Sequence, residues 1–174
     1  MMRILILTAS KSSLLKNWKM EPIIIDTRET LAYNFAWILS SKPKPAKSLI
    51  YKKLDTCDYS LQGYENQVGI ERKTLSDAFG SFGRNRKRLQ REFERMSKFD
   101  YAAMVIESSL GNMFKNPPEH SQMTPKSVFR SLLSWSIKYN VFVWPCPDRA
   151  FAEKTTYFLL ENYSKAQYLK KNNL

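Results

Sequence analysis

The chain has 174 residues, 43% of them hydrophobic and 13% aromatic, which suits one domain with a real core and excludes a disordered polypeptide. Its formal net charge of +12 favours a polyanionic partner, nucleic acid first and an anionic membrane surface second. No apolar run reaches the roughly 18 residues needed to span a bilayer, and Cys57 and Cys146 form no CxxC pair, which disfavours a structural zinc site or disulfide framework and leaves two reduced thiols.

Residues 1–21 read as an N-terminal extension in which RILIL is the one apolar block. That block is too short for a signal-peptide core, so the protein is expected to stay in the cytoplasm. EPIIIDTRE follows, a β-branched run closing in charges, which suits a strand buried on both faces. LAYNFAWILSS has helical spacing at Leu31, Phe35, Ile38 and Leu39, and the prolines of KPKPAK stop it. LIYKKL and DYSL are short strand candidates. QGYENQ supplies a turn and VGIERK the next strand, a hairpin that can bring Asp58 near Glu71.

A helical stretch begins near Thr74, is interrupted at Gly80 and Gly83, and runs to Ser97. YAAMVIES is a further strand. SLGNMFKNPPEHSQM has no periodicity and two prolines, so it reads as a loop long enough to act as a mobile flap. Thr124 and Pro125 form an N-cap followed by proline at the first helical position, opening a helix through Val128, Leu132, Trp135 and Tyr139. VFVWPC is the last strand and PDRAFAEKTTYFLLENYSK the last helix, with residues 166–174 a fraying tail. Strands alternating with helices imply an α/β sandwich over residues 22–165, with helices flanking a central mixed sheet.

The informative stretch is GIERKTLSDAF, Gly69 to Phe79. Alternate residues of a strand share a face, so Glu71 and Lys73 point one way and Arg72 the other. Alternating charges are most often an ion-pair cluster on a solvated face, and that reading stays open here. Three features weigh against it. Acidic groups recur at the ends of separate apolar strands: Asp26 and Glu29, then Asp58, then Glu71. They can converge on one edge of the sheet. They also sit in a strongly basic chain, where clustered carboxylates would repel DNA unless a cation lay between them. Magnesium suits such a site, with water and phosphate oxygens completing its octahedron. It would polarise a phosphate and activate a water, while Lys73 orients that water or offsets developing charge.

IIIDTRE, CDYSL and IERKTLSD stand in the order and approximate spacing of the V-D-x-R-E, G-D-Y and E-R-K-x-x-x-D elements of a known family. The chain resembles the XPF-type structure-specific endonucleases, a branch of the PD-(D/E)XK-like nucleases. The likeness continues through the arginine-rich helix, YAAMVIES and VFVWPCPDRAFAE. It implies a restriction-endonuclease-like three-layer sandwich, with catalytic carboxylates at Asp26, Glu29, Asp58 and Glu71 and a catalytic lysine at Lys73. Asp58, Glu71 and Asp26 are the implied metal ligands, for Mg2+ or Mn2+, and Arg28, Arg72 and Asp77 match supporting positions. It also implies branched or flapped DNA as substrate, work in DNA repair or recombination, and a homodimer or a recognition partner. Two departures stand out. Cys57 replaces a glycine of the family pattern, which would strain the turn and shift Asp58 if that glycine serves a special backbone angle. No tandem helix-hairpin-helix module follows, so the chain looks like the compact stand-alone version found in bacteria and phages, acting at the nucleoid.

RNRKRLQREFERMSK carries an apolar stripe of Leu89, Phe93 and Met96, the core-facing side. Opposite it cluster Arg84, Lys87, Arg88, Arg91 and Arg95, with Lys98. A solvated basic face is the plain interpretation. Like charges at i,i+4, as in Arg84/Arg88 and Lys87/Arg91, each cost a few tenths of a kcal/mol, and phosphates would relieve them. Arg88/Glu92 and Glu94 offset part of the repulsion. Lys42, Lys44 and Lys47 form a second basic patch that reads mainly as a soluble turn. Tyr59, Trp37, Trp135 and Trp144 are expected to pack the core, and His120 to be an exposed bystander. The favoured function is a metal-dependent DNA endonuclease. The alternative is a nuclease fold that binds DNA without cutting it, and RNA cleavage is a weaker third reading.

Overall fold

A computed structural model describes residues 15–39 and 49–173. The basic loop at Lys42, Lys44 and Lys47 and most of the N-terminal extension lie outside the described residues. The isoleucine run forms β1 (Ile23–Ile25), every residue buried. Apolar on both faces, it belongs inside a sheet. It pairs in parallel with β2 (Leu49–Tyr51) and antiparallel with β3 (Tyr59–Leu61). Between them, α1 (Ala36–Leu39) is a short helix; the helical spacing read from Leu31 does not hold over residues 31–35, which are irregular, with Phe35 at φ +51°. β3 turns into β4 (Val68–Lys73), with Tyr59 opposite Ile70.

Two helices follow. In α2 (Leu75–Phe82) the Asp77 N–H donates to the side chain of Thr74, the N-cap, and Gly83 closes the helix, while Gly80 lies inside it without a break. α3 (Arg86–Met96) buries Leu89, Phe93 and Met96. β5 (Tyr101–Ile106) lies parallel to β4, and β6 (Phe142–Pro145) parallel to β5. Between these strands run α4 (Leu110–Lys115) and α5 (Pro125–Tyr139), and α6 (Arg149–Lys171) ends the chain. The sheet order is β2-β1-β3-β4-β5-β6.

Each face of this mixed sheet has its own core. On one face Ile25, Tyr59 and Val105 pack against Tyr157 and Leu160 of α6. On the other Met104 and Ile106 meet Phe79, Phe93 and Trp135 from α2, α3 and α5. Helices on both faces make the three-layer sandwich that the family resemblance implies.

Three further local expectations are corrected. The stretch read as one long loop contains α4, started by Ser109, whose side chain accepts from the Asn112 N–H, and anchored by a single buried residue, Met113. One apolar anchor gives too little periodicity to notice. The C-terminal stretch read as a fraying tail continues α6 through Lys171, held by buried Leu169 and by the bond from Lys171 to Tyr64. Trp144 is 42% exposed, because β6 ends the sheet; its indole N–H donates to Tyr101 Oη. Residues 15–21 pack on α6 through Trp18, whose indole donates to Ser164 Oγ.

Candidate active site

Backbone pairing brings three strand ends together. The Asp26 N–H donates to the Asp58 carbonyl at 2.8 Å, and the Asp58 N–H to the Ile70 carbonyl at 3.1 Å. The Arg72 N–H then donates to Asp58 Oδ2 at 2.7 Å, fixing that carboxylate beside β4. Glu71 and Lys73 share one face of β4, and the Lys73 ammonium donates to Glu71 Oε1. Arg72 faces the opposite side.

The electrostatics of this corner are unbalanced. Burial first, then the Glu71 charge, push the Asp58 carboxyl well above the usual carboxylate range, overriding the Arg72 N–H and Lys73. Burial opposes the Lys73 ammonium, yet Glu71, Asp58 and Asp77 together outweigh it and raise the affinity for its proton. Lys73 is therefore a cation here, suited to offsetting negative charge and unsuited to taking a proton. Asp77 itself accepts from Thr74 Oγ1 at 2.8 Å in the first turn of α2.

A residue the sequence reading treated only as charge balance belongs here. Glu92, on α3, accepts from the Cys57 N–H at 3.2 Å, and its other oxygen pairs with Arg95. Burial and the Glu71 charge raise its affinity for a proton as well. One carboxylate oxygen each of Glu71 and Glu92, with Cys57 Sγ, lie within 4.8 Å of one another. Asp58 and Glu92, which hold their protons this tightly, are undercompensated, which is the condition a hard divalent cation relieves. The residues present fit such an ion: Glu71 and Glu92 converge as oxygen donors, and Asp58 lies near enough to Glu71 to feel its charge.

Cys57 has φ +67°, in the left-handed region that favours glycine. The turn of this chain therefore has the special backbone angle that a glycine would serve. Cysteine adopts the same turn, and Asp58 remains beside β4. Gly69 makes this possible: a Cβ there would lie 2.7 Å from Cys57 Sγ and 2.8 Å from a Phe99 ring carbon.

Asp26 is placed differently. Arg28 donates to both its oxygens, at 2.9 and 2.8 Å, and the Leu54 N–H donates at 2.7 Å. Burial would raise its pKa, but these bonds and the Arg28 charge take it below the ordinary value. Asp26 thus has a full set of donors and is not among the converging oxygens. Glu29 Oε1 accepts from the Leu31 N–H at 2.7 Å and from Arg72 at 3.4 Å. Arg72 makes a two-pronged pair with Glu107, at 2.8 and 2.9 Å, and Arg149 and Tyr33 donate to the same carboxylate, each at 2.9 Å. Glu107 and Arg149 were not singled out from the sequence. Yet Glu107 closes an apolar strand just as Asp26 does, which was the available signal.

The basic face lies across α3. Lys87, Arg88 and Arg91 are exposed, as is Arg84 in the turn that precedes the helix. Arg95 is exposed as well but is paired, donating to Thr56 Oγ1 at 3.1 Å and to Glu92. One helix therefore supplies a carboxylate to the cluster and cations to the surface beside it. His120 is exposed.

Residues 25–159 match the ERCC4 domain. The fold is similar to that of XPF from Aeropyrum pernix, at 20% identity and a TM-score of 0.59, over 87% of this chain and 68% of that one. It is equally similar to a structure of XPF from Aeropyrum pernix in complex with DNA, at 19% identity and a TM-score of 0.59, over 84% of this chain and 64% of that one. The chain thus spans about two thirds of these solved relatives. Comparison with curated proteins gives no match.

Proposed function

The chain belongs to the ERCC4 domain family, the XPF-type nuclease domains, and from that premise we propose that it is a divalent-metal-dependent DNA endonuclease acting on branched, flapped or partly single-stranded DNA. The observation that carries the reading is the contact of Lys73 with Glu71, beside Asp58 and Glu92, at the end of β4. Asp58, Glu71 and Glu92 would hold Mg2+ or Mn2+, which supplies polarisation of the scissile phosphate and a more acidic water when bound. Lys73, a half-buried ammonium, offsets the charge that builds on the phosphate oxygens. Arg84, Lys87, Arg88 and Arg91 seat the DNA backbone beside the cluster, which makes binding salt-sensitive. Asp26 acts as a positioning residue: it holds Arg28 and the Leu54 N–H while its own N–H ties β1 to Asp58.

DNA as the partner is supported by the +12 charge and by the relative solved with DNA. A homodimer is supported by exposed Leu133 and Ile137 on α5 and Phe142 and Trp144 on the sheet's last strand. Among the described residues no helix is long and apolar enough to cross a membrane. The test is a panel of forks, flaps, four-way junctions and plain duplex, each with Mg2+, Mn2+ or chelator, run beside Glu71→Gln and Lys73→Met. Cleavage by the wild type alone, abolished by chelator, is the expected result. Equal traces from all three proteins would leave a DNA-binding module instead.

A further inference from the structure

We propose that Cys57, Glu71 and Glu92 form a capture site for one thiophilic divalent cation of the zinc class, which suppresses the metal-supported cleavage proposed above. The three donors, one sulfur and two oxygens, lie within 4.8 Å of one another. An ion held at about 2.0–2.3 Å from each donor sets them roughly 3.3–3.8 Å apart, so any closing needed is at most about 1.5 Å, a shift that side-chain rotation of two glutamates supplies.

The thiol carries the argument past a cluster of carboxylates. Cys57 is 4% exposed, its Sγ has no hydrogen-bond partner among the described residues, and it is directed at the two glutamates. Its position is also costly to maintain. Glycine would satisfy a backbone at φ +67° without strain, and Gly69 leaves the space into which the sulfur fits. Two positions are thus arranged around one buried sulfur that the cleavage chemistry does not use.

Magnesium takes oxygen donors and gains nothing from a thiol, whereas zinc-class ions bind thiolate strongly. On capture the sulfur–metal bond forms, the thiol proton leaves to solvent, and Glu71 is drawn away from Lys73. The inhibitory half of the proposal rests on the nuclease reading; the capture half does not.

Cadmium chloride is the probe. The full chain, without DNA, is titrated while the thiolate-to-cadmium charge-transfer absorbance is followed. Wild type and Cys146→Ser are expected to saturate at one equivalent, Cys57→Gly to show no band, and Glu92→Gln to bind on the order of ten-fold more weakly. Glycine suits the turn, so Cys57→Gly is expected to fold; Cys57→Ser reads the same loss if it does not. A wild type with no band, or a band that survives removal of Cys57, overturns the proposal. Substoichiometric Zn2+ is then added to magnesium-supported nicking, where wild type is expected to be inhibited and Cys57→Gly to resist relative to its own uninhibited rate. A band without any cleavage counts against the nuclease reading alone. Cleavage without a band counts against capture alone.

Discussion

The two faces of β4 are built on opposite principles. On the Arg72 face the charges are matched: the guanidinium pairs with Glu107 and reaches Glu29, and Glu107 also takes Arg149 and Tyr33. On the Glu71 face the carboxylates outrun their partners, and Asp58 and Glu92 hold protons more tightly than ordinary carboxyls. The first arrangement is complete within the protein and holds the strand in place. The second invites a cation from outside. A charged residue in a strand is thus assigned its role by whether its neighbours finish its coordination, and residue type alone does not decide it.

The largest expected effect is on the unmatched face. Lys73→Met should lower cleavage by at least about 10³-fold, because the half-buried cation proposed to offset charge on the phosphate is lost. Circular dichroism and DNA affinity should stay near wild type. A variant that keeps a tenth of the wild-type rate would break the comparison.

On the matched face the loss should appear in stability. Glu107→Ala leaves a buried guanidinium with the 3.4 Å contact to Glu29 and the Tyr33 ring 5.7 Å away, and stranding one partner of a buried pair costs about 3–5 kcal/mol. Urea unfolding measures it. An unchanged midpoint would mean that Arg72 is not held by that pair.

Metal and pH sharpen the contrast further. The folded-state pKa of Asp58 is raised, by burial and by Glu71. Its contribution to stability is therefore fully present below the unfolded value, about 3.9 for an aspartate, and is lost as pH rises through the folded value. A divalent cation would replace the proton over that range. Mg2+ is expected to raise Tm little in acid and progressively more as pH climbs, reaching about 1–3 kcal/mol of stabilisation when in large excess. An increment independent of pH would sever Asp58 from the metal site.

The basic face of α3 should give a smaller, salt-dependent effect. Reversing Arg84, Arg88 and Arg91 to glutamate should flatten the dependence of DNA affinity on salt by about 0.9 in log–log slope for each phosphate contact removed. An unchanged slope, read by fluorescence anisotropy, would place the DNA elsewhere.

Much of this division was legible in advance, for physical reasons. Period-two alternation put Glu71 and Lys73 together and Arg72 opposite, and the hairpin signal brought Asp58 to them. The buried isoleucine run announced a central strand. Glu92 was hidden because helical periodicity was read for its apolar stripe and its basic face, and a single acid beside that stripe looked like surface balance. The full coordination of Asp26 was hidden because it depends on the Leu54 N–H, a backbone group with no signature in sequence. Trp144 misled because aromatic content in a strand says nothing about whether that strand ends the sheet.

The smallest effect expected is a coupling between two residues at the border of the unmatched face. Gly69→Ala would set a methyl 2.7 Å from Cys57 Sγ and 2.8 Å from the Phe99 ring, and overpacking of this kind costs about 1–3 kcal/mol. Cys57→Gly removes the sulfur clash and relaxes the left-handed turn, but gives up a buried side chain, so alone it should change stability by less than about 1 kcal/mol. In the double variant the methyl no longer meets the Cys57 side chain and still meets Phe99, and the two changes should cost less together than the sum of each alone. Contacting residues show such couplings of about 0.5–3 kcal/mol, and a double-mutant cycle in urea resolves them. Strict additivity would mean that Gly69 is there for Phe99 alone, and that the space beside the carboxylates was not made for the sulfur.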